Sequence, residues 1–245
     1  MTERYNRKAA IFAAFLILFG TGFTAAHASL NVSPVRVNLG GSHTKDVIQI
    51  TNQEDSVKSY EVEVVAWSQT SERREVYSPT EDILAVPPLF SLEPGETQLI
   101  RVGMLTDADE NTERSYRMFI TEIAPPEPEK IESTGIIMRL QIGIPVFVAP
   151  AAAPTTTLNL VDYMQIEEQL FVQFRNSGNT HIKVTEVHYS APGSAEKIIT
   201  PAVTYILAGN TGYLPVKLPG SDQIGTVYIV TDNLGTLEYE LPFAQ

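Results

Sequence analysis

The segment TGIIMRLQIGIPVFVAP, Thr134 to Pro150, decides the fold. From Ile136 to Ala149 it carries a single charge, Arg139. A helix of this composition would be a buried core element. The β-branched content, with Gly143 and Pro145 inside the run, predicts an extended strand instead. Strands commonly run about 5–6 residues, so this one is unusually long, and long apolar edges invite aggregation. Period two places Ile136, Met138, Leu140, Ile142 and Ile144 on one face, with Ile137, Arg139, Gln141, Gly143 and Pro145 on the other. Pro145 cannot donate to ladders on both sides, which favours an edge position. An edge strand with a row of apolar side chains is what β-strand addition to another chain requires. The competing reading is that these residues line the domain's own core. For Ile144 to Val148, next to a small-residue linker, internal packing is the expectation.

Outside this segment, short runs rich in Val, Ile, Thr and Tyr recur between Gly, Pro, Asn and Asp. They include VIQITN (47–52), YEVEVVAW (60–67), TQLIRVGM (97–104), YRMFITEI (116–123), LFVQFRN (170–176) and TVYIVTD (226–232). No segment of comparable length keeps a 3.6-residue period with caps, so the expected fold class is all-β. In YEVEVVAW, Glu61 and Glu63 alternate with Val62 and Val64, which implies one wet and one buried face. The stretch APAAAPTTT (149–157) has nothing to pack a core and reads as a short, stiff Ala/Pro hinge. Each side is near the size of one immunoglobulin-like β-sandwich. The expected domains are 29–150 and 151–245.

The first 28 residues read as a cleaved secretory signal. Arg4, Arg7 and Lys8 precede a short apolar run, and Ala26-His27-Ala28 supplies small residues at −3 and −1. The competing reading, a membrane anchor, needs about 20 apolar residues. Removing the segment leaves 217 of 245 residues and moves the formal charge from −12 to −14. An acidic chain of this kind repels phosphate backbones, so nucleic acid is not an expected partner. No later segment is long and apolar enough to span a bilayer, so stable membrane insertion is not expected either. There is no cysteine, so thiol chemistry, disulfides and cysteine metal sites are excluded.

Four pieces in order resemble the PapD-like periplasmic chaperones of pilus assembly, and over the mature chain the resemblance is nearly complete. They are SPVRVNL (33–39), AVPPLFSLEPGETQLIRV (85–102), ERSYRMFITEIAPP (113–126) and the opening segment. The resemblance implies an L-shaped pair of sandwiches with a cleft between them. It implies a chaperone that completes pilus or fimbrial subunits with its long strand and hands them to an outer-membrane usher. It also implies an arginine in the cleft, here Arg36, that grips the subunit's C-terminal carboxylate. An ordinary surface arginine is the plainer reading of Arg36. The family's second anchor, a lysine, falls at Pro145, which leaves Arg117 and Arg139 as candidates. The hinge arginine falls at Ala149, so the acids at Glu122 and Asp232 are expected to be hydrated or paired differently. These departures point to a divergent, archaic or alternative branch associated with spore-coat-like subunits.

Enzyme motifs such as HExxH, GxSxG or a P-loop are absent. No catalytic residue, metal site or cofactor is expected. His43, His181 and His188 read as solvated side chains, and TDADEN (106–111) as a solvated loop. The rival to a chaperone is a structural two-domain surface adhesin or pilus component, which would need a donor arm and a missing last strand. An exposed edge also predicts a self-capping dimer or a folded-back strand in the free protein.

Overall fold

In the computed structural model, residues 30–70, 74–123, 139–166, 169–218 and 225–241 are described, and they contain strands and no helix. The first half holds β1 (Leu30–Ser33), β2 (Val37–Leu39), β3 (Lys45–Asn52), β4 (Lys58–Gln69), β5 (Glu75–Pro79), β6 (Ile83–Val86), β7 (Leu89–Leu92), β8 (Thr97–Met104), β9 (Arg114–Ile123) and β10 (Gln141–Val148). The second holds β11 (Leu158–Ile166), β12 (Gln169–Asn176), β13 (Ile182–Ser190), β14 (Ile198–Ile206), β15 (Thr211–Lys217), β16 (Thr226–Thr231) and β17 (Gly235–Glu240).

The first ten strands make two sheets, β1-β3-β8-β6 and β2-β10-β9-β4-β5, with β7 also pairing β4. The last seven make β11-β12-β15 and β14-β13-β16-β17. Among the described residues no ladder crosses from one set to the other. Each pair of sheets encloses its own core, one built on Ile48, Ile100, Met118 and Val146, the other on Val172, Val184, Leu214 and Ile229. The fold is therefore a pair of β-sandwiches. Its local cause is visible in strands such as β9, where Tyr116, Met118 and Ile120 are buried on one parity.

The two sandwiches share a corner device. Asn52 and Asn176 are fully buried at strand ends. Asn52 Nδ2 donates to the carbonyls of Ser56 (2.8 Å) and Leu92 (3.1 Å), and Asn176 Nδ2 to those of Thr180 (2.7 Å) and Ile206 (3.0 Å). A buried amide is tolerated because its donors are spent on turn carbonyls that would otherwise be orphaned.

The outer face of the six-stranded sheet is not wet throughout. Glu61 and Glu63 are exposed, but Val65 and Trp67, on the same parity of β4, are buried. Phe147 on β10 joins Trp67 there, and Leu207 from the second domain closes the cluster. The last five residues of β10 are buried on both faces, inward by the core and, at Phe147, outward by the second domain.

Candidate functional site

The decisive segment forms a strand from Gln141 to Val148, and pairing reaches back to Leu140, whose carbonyl accepts from Glu122 N at 2.8 Å. Along its whole length β10 pairs antiparallel with β9. On its other side β2 pairs parallel, at Val146–Val148 alone. Residues 141–145 thus have one ladder neighbour among the described residues, and the edge begins where Pro145 sits. On the inward parity Leu140 and Ile142 are half-buried, leaning on the first-domain core. Ile144 follows the internal packing expected next to the linker and so drops out of the donor row it shares by parity. It is 1% exposed and belongs to the core, because here its side of the sheet is covered by the opposing sheet. Ile136 and Met138, the other two of the row, lie outside the described residues.

On the outer parity Gly143 is exposed. A β-carbon there would stand 3.2 Å from both Arg117 Cδ and Phe119 Cε1. The absent side chain lets the Arg117 stem lie flat across the strand.

Arg36, in the link between β1 and β2, reaches into the second domain, where its Nη1 lies 2.5 Å from Asp232 Oδ2. The two side chains are 34% and 25% exposed. Burial works against the Arg36 charge, but the hydrogen bond and charge of Asp232, with Tyr205 assisting, hold its pKa above the ordinary guanidinium value. Arg117 pairs in register with Pro145, one rung from the Val146–Val37 pair beside Arg36. Its guanidinium carbon stands 4.0 Å over the Trp67 ring, and Nη2 lies 3.4 Å from Glu75 Oε1. Both arginines act on the Tyr205 hydroxyl. Its pKa is raised chiefly by burial, while the charges of Arg36 and Arg117 oppose the rise and Asp232 adds to it.

The other expected residues separate from this cluster. Arg139 is exposed and lies seven residues before Val146, about 23 Å away along an extended strand, so it does not converge on Arg36. Glu122 is not an interdomain acid. It sits at the far end of β9, 2.8 Å from Lys58 Nζ, and its other oxygen accepts from Leu140 N at 3.3 Å. Lys58 also meets Glu54 at 3.0 Å, and the Glu122 hydrogen bond is the main cause of its raised pKa. Asp232 alone of the two acids faces across the cleft.

Sequence reasoning missed the cleft's apolar floor. The His181 ring stacks on Phe147, with centroids 3.5 Å apart and planes 11° from parallel. Glu113 Oε1 accepts from His181 N at 2.9 Å and lies 2.8 Å from Nδ1. His181 is therefore not the solvated histidine its sequence context suggested. His188, 2.7 Å from Glu186, is also largely covered, and His43 alone matches that expectation. Gln69 clasps the second domain twice, donating to Tyr205 O at 2.9 Å and accepting from Leu207 N at 3.0 Å. The acidic loop is likewise more than a solvated one, since the carbonyls of Asp109 and Glu110 accept from Ala151 and Ala152 of the hinge. The available signal was the outer parity of β4, which turns from Glu61 and Glu63 to Val65 and Trp67. Among the described residues no three His, Cys, Asp or Glu side chains gather to hold a metal.

No curated protein matches the sequence. Solved structures match its fold. A chain of the CsuC–CsuE chaperone–tip adhesion subunit pre-assembly complex, from the archaic chaperone-usher Csu pili of Acinetobacter baumannii, superposes with a TM-score of 0.64 at 16% identity. That match covers 89% of this chain and 100% of the other. A chain of the Salmonella enterica SafA pilin complex with the SafB chaperone gives 0.59 at 18% identity, covering 89% and 99%. The E. coli chaperone DraB gives 0.54 at 16% identity, covering 88% and 98%. A family model described as pili and flagellar-assembly chaperone, PapD N-terminal domain, matches residues 29–154. With that match lying over the first sandwich, its edge strand and the start of the hinge, the chain belongs to the PapD family of pilus-assembly chaperones.

Proposed function

We propose that this protein is a periplasmic chaperone that binds, folds and caps pilus subunits by donor-strand complementation and passes them to an outer-membrane usher. Export by a signal cleaved after Ala28 is part of the proposal. The observation that carries it is the half-paired state of β10. Residues 141–145 have a ladder partner on one side, and Leu140 and Ile142 stand on one parity at that edge. A client lacking a strand can dock there and take Leu140, Ile142 and the preceding Met138 and Ile136 into its groove. Each large aliphatic side chain so buried contributes about 1.5–3 kcal/mol, set against the cost of association. Arg36 would fix the register by holding the client's C-terminal carboxylate, with Arg117 the nearer second cation. The role needs no catalytic residue or cofactor.

The test is co-expression of Leu140→Glu and Arg36→Ala variants with the cognate subunit, followed by pull-down from periplasmic extract and thermal melting. Both variants should stay folded. Leu140→Glu should lose the subunit at every salt concentration, because a carboxylate is driven into an apolar groove. Arg36→Ala should keep weak capture through the surviving apolar contacts. Retention of subunit by both variants at the wild-type level would overturn the chaperone reading.

A further inference from the structure

We propose that Asp232 is an internal stand-in for the carboxylate that Arg36 holds, so that client capture exchanges one carboxylate for another. The inference rests on the reading of Arg36 as the client's anchor. Its basis is that Arg36 is already occupied. Its Nη1 meets Asp232 Oδ2 at 2.5 Å across 196 residues of sequence, from one domain to the other. The contact is made through one guanidinium nitrogen, so it is not the two-point fork an arginine makes with a well-seated carboxylate. Both side chains keep access to water, and solvated pairs of this kind shift an equilibrium by no more than about fivefold. The clasp is built to open.

The surroundings provide the exchange with a destination. Around the Tyr205 ring stand three cations: Arg36, Arg117 at its Trp67 stack, and Lys183, whose Nζ is 5.8 Å from the Tyr205 centroid. Two carboxylates answer them, Asp232 on Arg36 and Glu75 on Arg117. A third carboxylate, Glu113, lies on His181 beside the Tyr205 ring, so the cluster is balanced overall and its spare capacity is local, at Lys183. Lys183 has no carboxylate within ion-pair distance among the described residues. It is also Asp232's neighbour, since Asp232 N donates to Lys183 O at 3.2 Å. A client carboxylate arriving on Arg36 would stand against Asp232, and like charges at that range repel. Asp232 then moves to Lys183, and the polar tie between the domains at this point is replaced by a tie to the client. Capture and domain coupling share one guanidinium.

The experiment titrates the full mature chain with a ten-residue peptide of alternating valine and threonine ending in phenylalanine. The peptide is used as the free acid and as the C-terminal amide, and the readout is the ratio of the two Kd values. The wild type should prefer the acid. Asp232→Asn should widen that preference by about fivefold, the most a solvated pair withholds. Lys183→Gln should narrow it in the wild-type background and leave it unchanged in the Asp232→Asn background. The gain must vanish in an Arg36→Ala/Asp232→Asn double variant. Its persistence there would reveal a general field effect and overturn the exchange. An unchanged or reduced preference in Asp232→Asn overturns the exchange while the anchor stands. No acid preference in the wild type, weak binding of both forms included, removes the anchor and the exchange together.

Discussion

Phe147→Ala should separate the two sandwiches without unfolding either. The ring is 1% exposed, yet it points away from the first-domain core and lies against Trp67, Tyr205 and the His181 face. Removing a buried Phe side chain costs about 3–5 kcal/mol where the site cannot collapse. The two Gln69 hydrogen bonds and the two between Glu113 and His181 contribute about 1 kcal/mol each, and the Arg36–Asp232 pair at most about 1 kcal/mol. The ring thus rivals those links combined, and its loss should shift the closed-to-open ratio by roughly 10²–10⁴. The hinge offers a sensitive reporter. Ala151 and Ala152 are held through their backbone N–H groups by Asp109 and Glu110, bonds that opening would strain. Elastase cleavage at the hinge alanines should therefore accelerate at least tenfold, with a larger radius of gyration by small-angle scattering and an unchanged far-ultraviolet spectrum. The reasoning is refuted if cleavage and radius match the wild type, or if the first domain loses its β-sheet signal, which would make Phe147 an internal core residue.

Three further outcomes are expected. Ile144→Ala should lower the first-domain melting temperature by about 10 °C, from a cavity cost of about 2–4 kcal/mol, whereas Leu140→Ser should lower it by no more than a third as much. Calorimetry of the two variants checks this, and equal losses would return Leu140 to the core. Asn176→Asp should destabilise the second domain by about 2–4 kcal/mol in urea unfolding, because it sets a carboxylate against the Thr180 and Ile206 carbonyls. The Asp82 carboxyl is held below its usual range, chiefly by the Tyr116 hydroxyl at 2.8 Å and then by Arg114. A depressed carboxyl stabilises the fold above its unfolded pKa of about 4 and loses that contribution as pH falls through the lower folded value. Asp82→Asn should therefore be less stable than wild type near pH 7, and the gap should close below about pH 4 in acid titrations followed by fluorescence.

The fold was legible because its causes are local. Period two in β9, β12 and β16 and the absence of a capped helical run follow from side chains a few residues apart. The hinge was legible because alanine and proline have nothing to bury. The edge character of β10 was foreshadowed by Pro145. The site's wiring was not legible, since it depends on which distant residues meet. Nothing near Arg36 points to Asp232, and nothing near His181 points to Phe147 or Glu113. Glu122 was misplaced for the same reason, since its balance comes from Lys58, 64 residues away. Ile144 shares the parity of Leu140 and Ile142, and what set it apart was its nearness to the linker, since periodicity alone does not say where along a strand the covering sheet ends.

The one-sided attachment of β10 also has a mechanical consequence. The strand is fastened on both flanks at Val146–Val148 and on one flank from Gln141 to Pro145. Under the proposed docking, a client laid along the free flank would meet a stiff root at one end and a compliant tip at the other. Tension applied at the tip would break the rungs in succession, each at low force, as in peeling tape. Tension along the strand axis would load all the rungs at once, as in shear. The same contacts would thus resist diffusion and random tugging while yielding to a directed pull from the tip, so the direction of the pull, more than affinity, would set when the client is let go.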